Sequence, residues 1–207
     1  SIVVNGAPTA TAQSISTNED TPLSVTLAGT DPEGSSLTYA LASNPSHGNA
    51  TLSGKTVTYT PAANYFGSDA FNFTVSDGRI TSSQAKVTLS VSAVNDAPTV
   101  SSVSVATSED TPQSFTLSSG SDVDGDDLTY ALASNPSKGT ATLSGNTVTY
   151  TPNKDYSGSD SFTFKASDGS LTSSAGTVFV TMNAVNDAPV ATAQSISTNE
   201  DTQLSIT

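Results

Sequence analysis

Apolar residues return at every second position in short runs along this chain. Leu23, Val25 and Leu27 alternate with Ser24 and Thr26. Leu37, Tyr39 and Leu41 follow, then Ala50 and Leu52, Val57 and Tyr59, Phe71, Phe73 and Val75, and Val87, Leu89 and Val91. Period-2 alternation over roughly five to eight residues marks strands buried on one face. The other face carries mostly Ser and Thr, which tolerate water and suit extended backbone. Turn chemistry fills the gaps: Asp31-Pro32-Glu33-Gly34, Asn44-Pro45-Ser46-His47-Gly48, Ser53-Gly54-Lys55 and Ser76-Asp77-Gly78. No stretch of useful length has helical periodicity.

The same series then repeats. Phe115 and Leu117, Leu128/Tyr130/Leu132, Ala141/Leu143, Val148/Tyr150, Phe162/Phe164 and Val178/Val180/Met182 hold the matching places. The punctuation repeats too. Val94-Asn95-Asp96-Ala97-Pro98 returns as Val185-Asn186-Asp187-Ala188-Pro189, and Val4-Asn5-Gly6-Ala7-Pro8 is a weaker copy. Asn95 and Asn186 are 91 positions apart, Asn5 and Asn95 are 90. Proline fixes its own φ and drives the preceding residue into extended geometry, so each copy reads as a stiff linker. About seven short strands in about 90 residues indicate a Greek-key β-sandwich of Ig-like type. The predicted organisation is all-β, two tandem sandwiches end to end. Residues 1–8 are the tail and linker of a preceding repeat, 9–94 repeat 1, 95–98 a linker, 99–185 repeat 2, 186–189 a linker, and 190–207 the truncated start of repeat 3. Ala191–Asp201 is identical to Ala10–Asp20, and Gln194–Thr198 is expected to be a first strand without its sandwich.

Composition changes this picture in two ways. The 207 residues include no cysteine, so a repeat near the small end for independent stability gets no disulfide. Nineteen acidic residues against six basic ones give a net charge of -13, which makes nucleic acid and anionic lipid poor partners. No apolar run is long enough to cross a bilayer. The carboxylates are also not scattered. All but Asp69, Asp155 and Asp160 fall in short motifs that follow the repeat: the Glu-Asp pairs 19–20, 109–110 and 200–201, the 31–33 and 122–127 turns, Ser-Asp-Gly at Asp77 and Asp168, and the linkers.

Hard cations such as Ca²⁺ take six to eight oxygens from carboxylates, carbonyls and amides. Asp122-Val123-Asp124-Gly125-Asp126-Asp127 is the densest source, with Asp31 and Glu33 at the matching places in repeat 1. It is not an EF-hand loop: the sixth position is Asp127 rather than Gly, the twelfth is Ala133 rather than Glu, and no helix flanks it. Without a cation, carboxylates gathered this way repel one another and take up protons or splay apart.

The pattern resembles the cadherin-like tandem repeats of large bacterial surface and secreted proteins, the extender domains of RTX-type adhesins, and through them the cadherins. The resemblance covers both repeats and the flanking stubs. It rests on Asn18-Glu19-Asp20 and Ser108-Glu109-Asp110 at the end of a first strand, on Asn95-Asp96 and Asn186-Asp187 before Ala-Pro, on Asp122 and Asp124 followed by Leu128-Thr129-Tyr130, and on Asp77 and Asp168 before Gly. It implies Ca²⁺ held where one repeat meets the next. The complete set would be Glu19, Asn95, Asp96, Asp122, Asp124 and Asp168. A first, partial set would be Asn5, Asp31, Glu33 and Asp77, with Gly6 where Asp is expected; a last set would be Glu109, Asn186 and Asp187. Ala93 replaces an Asp common in cadherin linkers, and the Asp-Arg-Glu motif is missing, with Asn64 and Asp155 near its place and Asp69 and Asp160 a little beyond. Fewer than three ions per junction are therefore expected.

The implied role is a calcium-stabilised structural extender of a long extracellular adhesin-type protein at a bacterial cell surface. Its partners are neighbouring repeats of the same chain and Ca²⁺, with cell-surface or sugar ligands bound elsewhere in the parent. A second reading is a carbohydrate- or protein-binding module, for which Tyr65-Phe66 is the one aromatic candidate. A third is an accessory domain of a secreted enzyme. Catalysis within these residues is not expected: His47 is the only histidine and Lys138 takes its place in repeat 2.

Overall fold

Nine strands follow in order through repeat 1: β1 (Thr9–Thr11), β2 (Gln13–Asn18), β3 (Leu23–Thr26), β4 (Ala28–Thr30), β5 (Thr38–Ser43), β6 (Gly48–Ser53), β7 (Thr56–Pro61), β8 (Gly67–Ser76) and β9 (Ala85–Ser92). The structure is a computed structural model and describes residues 4–203 and 205. Four strands form one sheet in the order β2-β9-β8-β5, three form a second in the order β3-β7-β6, and β1 pairs with β4. Repeat 2 rebuilds this with β10 (Thr99–Val100), β11 (Val103–Ser108), β12 (Gln113–Thr116), β13 (Gly120–Ser121), β14 (Thr129–Leu132), β15 (Gly139–Ser144), β16 (Thr147–Pro152), β17 (Gly158–Ser167) and β18 (Gly176–Asn183). Its sheets run β11-β18-β17-β14 and β12-β16-β15, with β10 on β13. Both repeats are the all-β sandwiches that the alternation predicts.

Two compact units divide the chain. One is Ser1–Ala97 with Asp122–Asp126, the other Pro98–Ser121 with Asp127–Thr207. In the first, residues from both sheets meet in one core: Val25, Leu27, Val57, Tyr59, Phe71, Phe73, Val75, Val87, Leu89 and Val91 are all buried. The second has its own core around Leu117, Val148, Tyr150, Phe162, Phe164, Val178, Val180 and Met182. Each such side chain contributes about 1.5–3 kcal/mol by leaving water, which is how a Ser/Thr-rich chain offsets its folding entropy.

One pairing positions everything that follows. β2 runs parallel to β9, from Gln13 opposite Val87 to Asn18 opposite Ser92. β11 runs parallel to β18 in the same register, from Val103 opposite Val178 to Ser108 opposite Asn183. Parallel strands leave a sheet at the same end. The Glu-Asp pair after the first strand therefore emerges beside the Asn-Asp linker after the last.

The structure departs from the sequence reading in two places. Each repeat has nine strands rather than about seven, because β2 and the short β1–β4 pair form as well. β2 reads Gln-Ser-Ile-Ser-Thr-Asn, with one apolar residue, and forms because β9 offers it an edge. Gln194–Thr198 repeats part of that sequence but is not a strand. A strand's N–H and C=O groups need a ladder partner, and none pairs with this segment.

Candidate metal centre

Three acidic clusters form where turns and linkers meet the ends of the sheets. The first lies within the first unit. Asp31 Oδ1 accepts the backbone N–H of Glu33 at 3.0 Å and of Ser35 at 2.9 Å, an Asx-type turn that fixes the carboxylate. Asp77 does the same after β8, with Oδ1 accepting from Arg79 and Ile80, both at 2.7 Å. The linker closes the group: Asn5 Nδ2 donates to Asp77 Oδ2 at 2.7 Å, and Gly6 N–H donates to Glu33 Oε2 at 3.0 Å. These donors, the Ile80 N–H first and then the Asn5 amide and Arg79 N–H, hold the Asp77 carboxyl below the usual carboxylate range.

The second cluster also belongs to the first unit. Glu19 is 4% exposed, and Oε1 accepts the Val94 N–H at 2.6 Å, so the pair that leaves β2 is tied to the linker that leaves β9. Asp20 has φ of 54° and accepts the Asn64 N–H at 3.1 Å; Asn64 has φ of 56°. Asp and Asn visit this left-handed region more readily than other side chains. Asp122 Oδ1 accepts the Asp124 N–H at 2.9 Å, and Asp124 Oδ2 accepts the Asp96 N–H at 2.8 Å. Asp96 is pushed above the usual carboxylate range, by burial first and then by the charges of Asp124, Asp20, Glu19 and Asp122. Asn95 turns its amide onto the Asp96 carbonyl at 3.1 Å.

The third cluster lies in the second unit. Glu109 is 8% exposed and accepts the Val185 N–H at 2.5 Å. Asp110, with φ of 58°, accepts the N–H of Asp155, whose own φ is 53°. Carboxylate oxygens of Asp110, Asp155 and Asp187 lie within 4.8 Å of one another. Asn186 donates to the Asp187 carbonyl at 3.2 Å. Asp168 holds its own turn, with Oδ1 accepting from Ser170 and Leu171 at 2.6 Å each.

Four buried side-chain oxygens among the described residues have no hydrogen-bond partner. One is Gln13 Oε1. The other three are Asp31 Oδ2, Asp96 Oδ2 and Asp122 Oδ2. A buried carboxylate oxygen without a donor is costly, and oxygens of this kind are what a hard cation takes. The donor set therefore fits Ca²⁺: carboxylates, amide and linker carbonyls, with no nitrogen or sulfur ligand nearby.

Sequence reasoning passed over Asp20, Asp110 and Asp155 as ligands. The signal was the second residue of each Glu-Asp pair. The other partner comes from a turn some 45 residues away, which spacing does not reveal. Asp69 and Asp160, by contrast, are not near a cation site. They are buried clamps: Asp69 accepts from Ser46, His47 and Ala70 backbone N–H groups and from Tyr59 Oη at 3.0 Å, and Asp160 repeats this with Ser137, Lys138, Ser161 and Tyr150. His47 lies in the clamped loop with its ring stacked on Tyr65 at 4.2 Å; Lys138 sits over Tyr156 at 5.4 Å. Tyr65 is thus engaged in packing, while Phe66 stays exposed. Two open clefts, of about 560 and 430 Å³, occupy matching places between Leu37, Tyr39 and Leu52 and between Leu128, Tyr130 and Leu143. Neither is lined by a carboxylate or a histidine.

The bacterial Ig domain family matches residues 5–90 and again 95–181. The chain is 32% identical over 247 aligned residues to integrin beta-like protein A of Dictyostelium discoideum, covering 98% of this chain and 13% of that protein. It therefore spans only a small part of that relative's length. Among solved structures it is similar to human protocadherin-24 EC1-2, with 19% identity, 89% of this chain and 100% of that one covered, and a TM-score of 0.51. An endo-fucoidan hydrolase from glycoside hydrolase family 107 matches 87% of this chain and 29% of its own, with 23% identity and a TM-score of 0.40. The chain belongs to the bacterial Ig domain family, as two tandem copies with a cadherin-like fold.

Proposed function

We propose that this pair of bacterial Ig domains is a calcium-stabilised extender in a long extracellular adhesin-type protein. The observation that carries this reading is the set of three buried, partnerless carboxylate oxygens on Asp31, Asp96 and Asp122. They recur with the repeat, at the linkers. When bound, a calcium ion supplies the positive charge and open oxygen coordination that these groups lack.

Each residue has a role in this reading. Asp96 and Asp122 present the oxygens that nothing else satisfies. Asp124 holds the linker through the Asp96 N–H. Glu19 ties the end of β2 to the linker at Val94. Asn5, Asp31, Glu33 and Asp77 repeat the arrangement at the preceding linker, and Glu109, Asn186 and Asp187, with Asp110 and Asp155, at the following one. Asn95 and Asp168 complete the central set by position. Linker residues with neutralised carboxylates lose their reason to splay, so the linker stiffens. Extracellular sites of this kind bind at about 10⁻⁴–10⁻³ M. At about 100 times Kd, a site adds roughly 2.7 kcal/mol to the state it selects. That is large against a total of about 5–15 kcal/mol.

The test is small-angle scattering with parallel thermal melts, in calcium and then in excess chelator. The expected result is a longer maximum dimension and a higher Tm in calcium, both lost in the double variant Asp96→Ala/Asp124→Ala. Superimposable profiles with and without calcium would overturn the reading.

A further inference from the structure

We propose that Glu33 supplies, from the turn between β4 and β5, the carboxylate that the linker lacks at Gly6. The first cluster then takes a divalent cation with Glu33 in the role of the linker aspartate. This rests on the calcium reading and goes beyond it, because it gives one residue a duty its sequence position does not announce.

The argument comes from two frames in the first unit that differ at only two ligand-bearing positions. In both, the leading turn carboxylate accepts with Oδ1 from the N–H two residues on: Asp31 from Glu33 at 3.0 Å, Asp122 from Asp124 at 2.9 Å. Both leave Oδ2 buried with no partner. The linker N–H then donates to the second turn carboxylate: Gly6 to Glu33 Oε2 at 3.0 Å, Asp96 to Asp124 Oδ2 at 2.8 Å. An Asn precedes each linker position. What changes is Gly6 with Glu33 in one frame, against Asp96 with Asp124 in the other.

These two changes answer each other sterically. A Cβ added at Gly6 would lie 3.3 Å from both Glu33 carboxylate oxygens and 2.9 Å from Pro32 Cγ. The space into which a linker side chain would grow is already taken by the Glu33 carboxylate. Glutamate is one methylene longer than aspartate, and that extra reach carries its charge to the linker. A linker aspartate and a turn glutamate therefore exclude each other. Asp31 Oδ2 is the independent sign that something cationic belongs here: it is sealed from water, and among the described residues no lysine or arginine pairs with it. With two carboxylates, Asp31 and Glu33, in place of Asp96, Asp122 and Asp124, the first cluster attracts a cation less strongly.

The experiment is a calcium chloride titration of the ¹⁵N-labelled 207-residue protein, following backbone amides. Expected in the parent chain are saturable shifts at Gly6 and Glu33, at higher calcium than those at Asp96 and Asp124. Glu33→Gln abolishes the Gly6 response and leaves the Asp96 response in place. Gly6→Asp alone does not tighten the first site. Gly6→Asp with Glu33→Asp brings it into the range of the second. An intact Gly6 response in Glu33→Gln, or tighter binding in Gly6→Asp alone, overturns the inference. A silent Gly6 beside a responsive Asp96 also overturns it, and leaves the calcium reading standing. Silence at both positions overturns the two together. An otherwise unchanged amide spectrum in each variant shows that the fold is retained.

Discussion

Asp69 and Asp96 are both shielded carboxylates in the same unit, and they are shielded in opposite ways. Asp69 is surrounded by donors. Oδ1 takes the Ser46 and Ala70 N–H groups, and Oδ2 takes the His47 N–H and the Tyr59 hydroxyl. Burial pushes its pKa up, yet these four donors outweigh burial and hold it below the usual range. Asp96 is surrounded by acids, and burial and their charges push it up. The first is a closed lock that needs nothing more. The second is an unfinished site. A buried anion can be satisfied by dipoles already in the fold, or it can be left for a countercharge to satisfy, and this unit does both within one sandwich.

The largest expected effect comes from breaking the closed member. Asp69→Ala would leave three backbone N–H groups and the Tyr59 hydroxyl without their acceptor. An abandoned buried donor costs about 1–3 kcal/mol, so with partial relaxation the loss is about 3 kcal/mol or more. For a domain of this size that lowers Tm by about 12 °C or more. Asp160→Ala should do the same to the second repeat. The distinguishing result is that the loss has equal size in calcium and in chelator. A loss that calcium repairs would mean that Asp69 belongs with the cation ligands instead.

Next in size is the open member, where pH separates the two behaviours. Asp96 has a raised folded pKa, so protonation favours the folded state. Its contribution is fully present below the unfolded value of about 3.9 and is lost as pH rises through the folded value. Asp69, Asp160 and Asp77 have depressed folded values. Their contributions are present above about 3.9 and are lost as pH falls through the folded values. In chelator, Tm should therefore rise as pH is lowered from 7 toward the acidic range, then fall steeply below about pH 4. Calcium should remove the rise and leave the fall. Asp96→Ala should flatten the rise in chelator, and in calcium should cost up to about 2.7 kcal/mol. A chelator profile that declines monotonically from pH 7 would remove the case for an unfinished site.

What the sequence shows of this contrast follows from what each feature depends on. The core strands are legible because alternation is a local consequence of one buried face, as Phe71, Phe73 and Val75 show. β2 is not, because its strand character comes from pairing with β9, about 70 residues downstream. The candidate ligands on the linkers and turns are legible through repetition and family resemblance. Asp20 and Asp110 are harder, since their partners at Asn64 and Asp155 arrive only after folding. The left-handed backbone at all four positions has no marker other than residue type. Asp69 and Asp160 are the instructive case. Each lies in a Gly-Ser-Asp triplet, ten residues after a fully buried Tyr, a spacing that spans a turn and returns the carboxylate to the phenol. That signal is present in both repeats, and it distinguishes a lock from a ligand.

The smallest expected effect concerns a countercharge that the chain itself carries. Lys154 Nζ lies 2.9 Å from Asp155 Oδ2, in the cluster with Asp110 and Asp187. The hydrogen bond to Asp155 and that residue's charge, then the charges of Asp110 and Asp187, favour the ammonium form. Repeat 1 has Ala63 and Asn64 at the matching places, so it gives up both the lysine and its carboxylate. A tethered ammonium that neutralises Asp155 competes with any cation the cluster takes. Lys154→Ala should therefore tighten calcium binding at the Asp187 amide by a few-fold in low salt, with no change at Asp96. Both partners are largely exposed, at 85% and 55% of the side chain, so the gain should shrink as salt is raised. Unchanged affinity at low salt would show that the ammonium leaves Asp155 too readily to compete. The third cluster would then differ from the second only in having Asp155 where the second has Asn64.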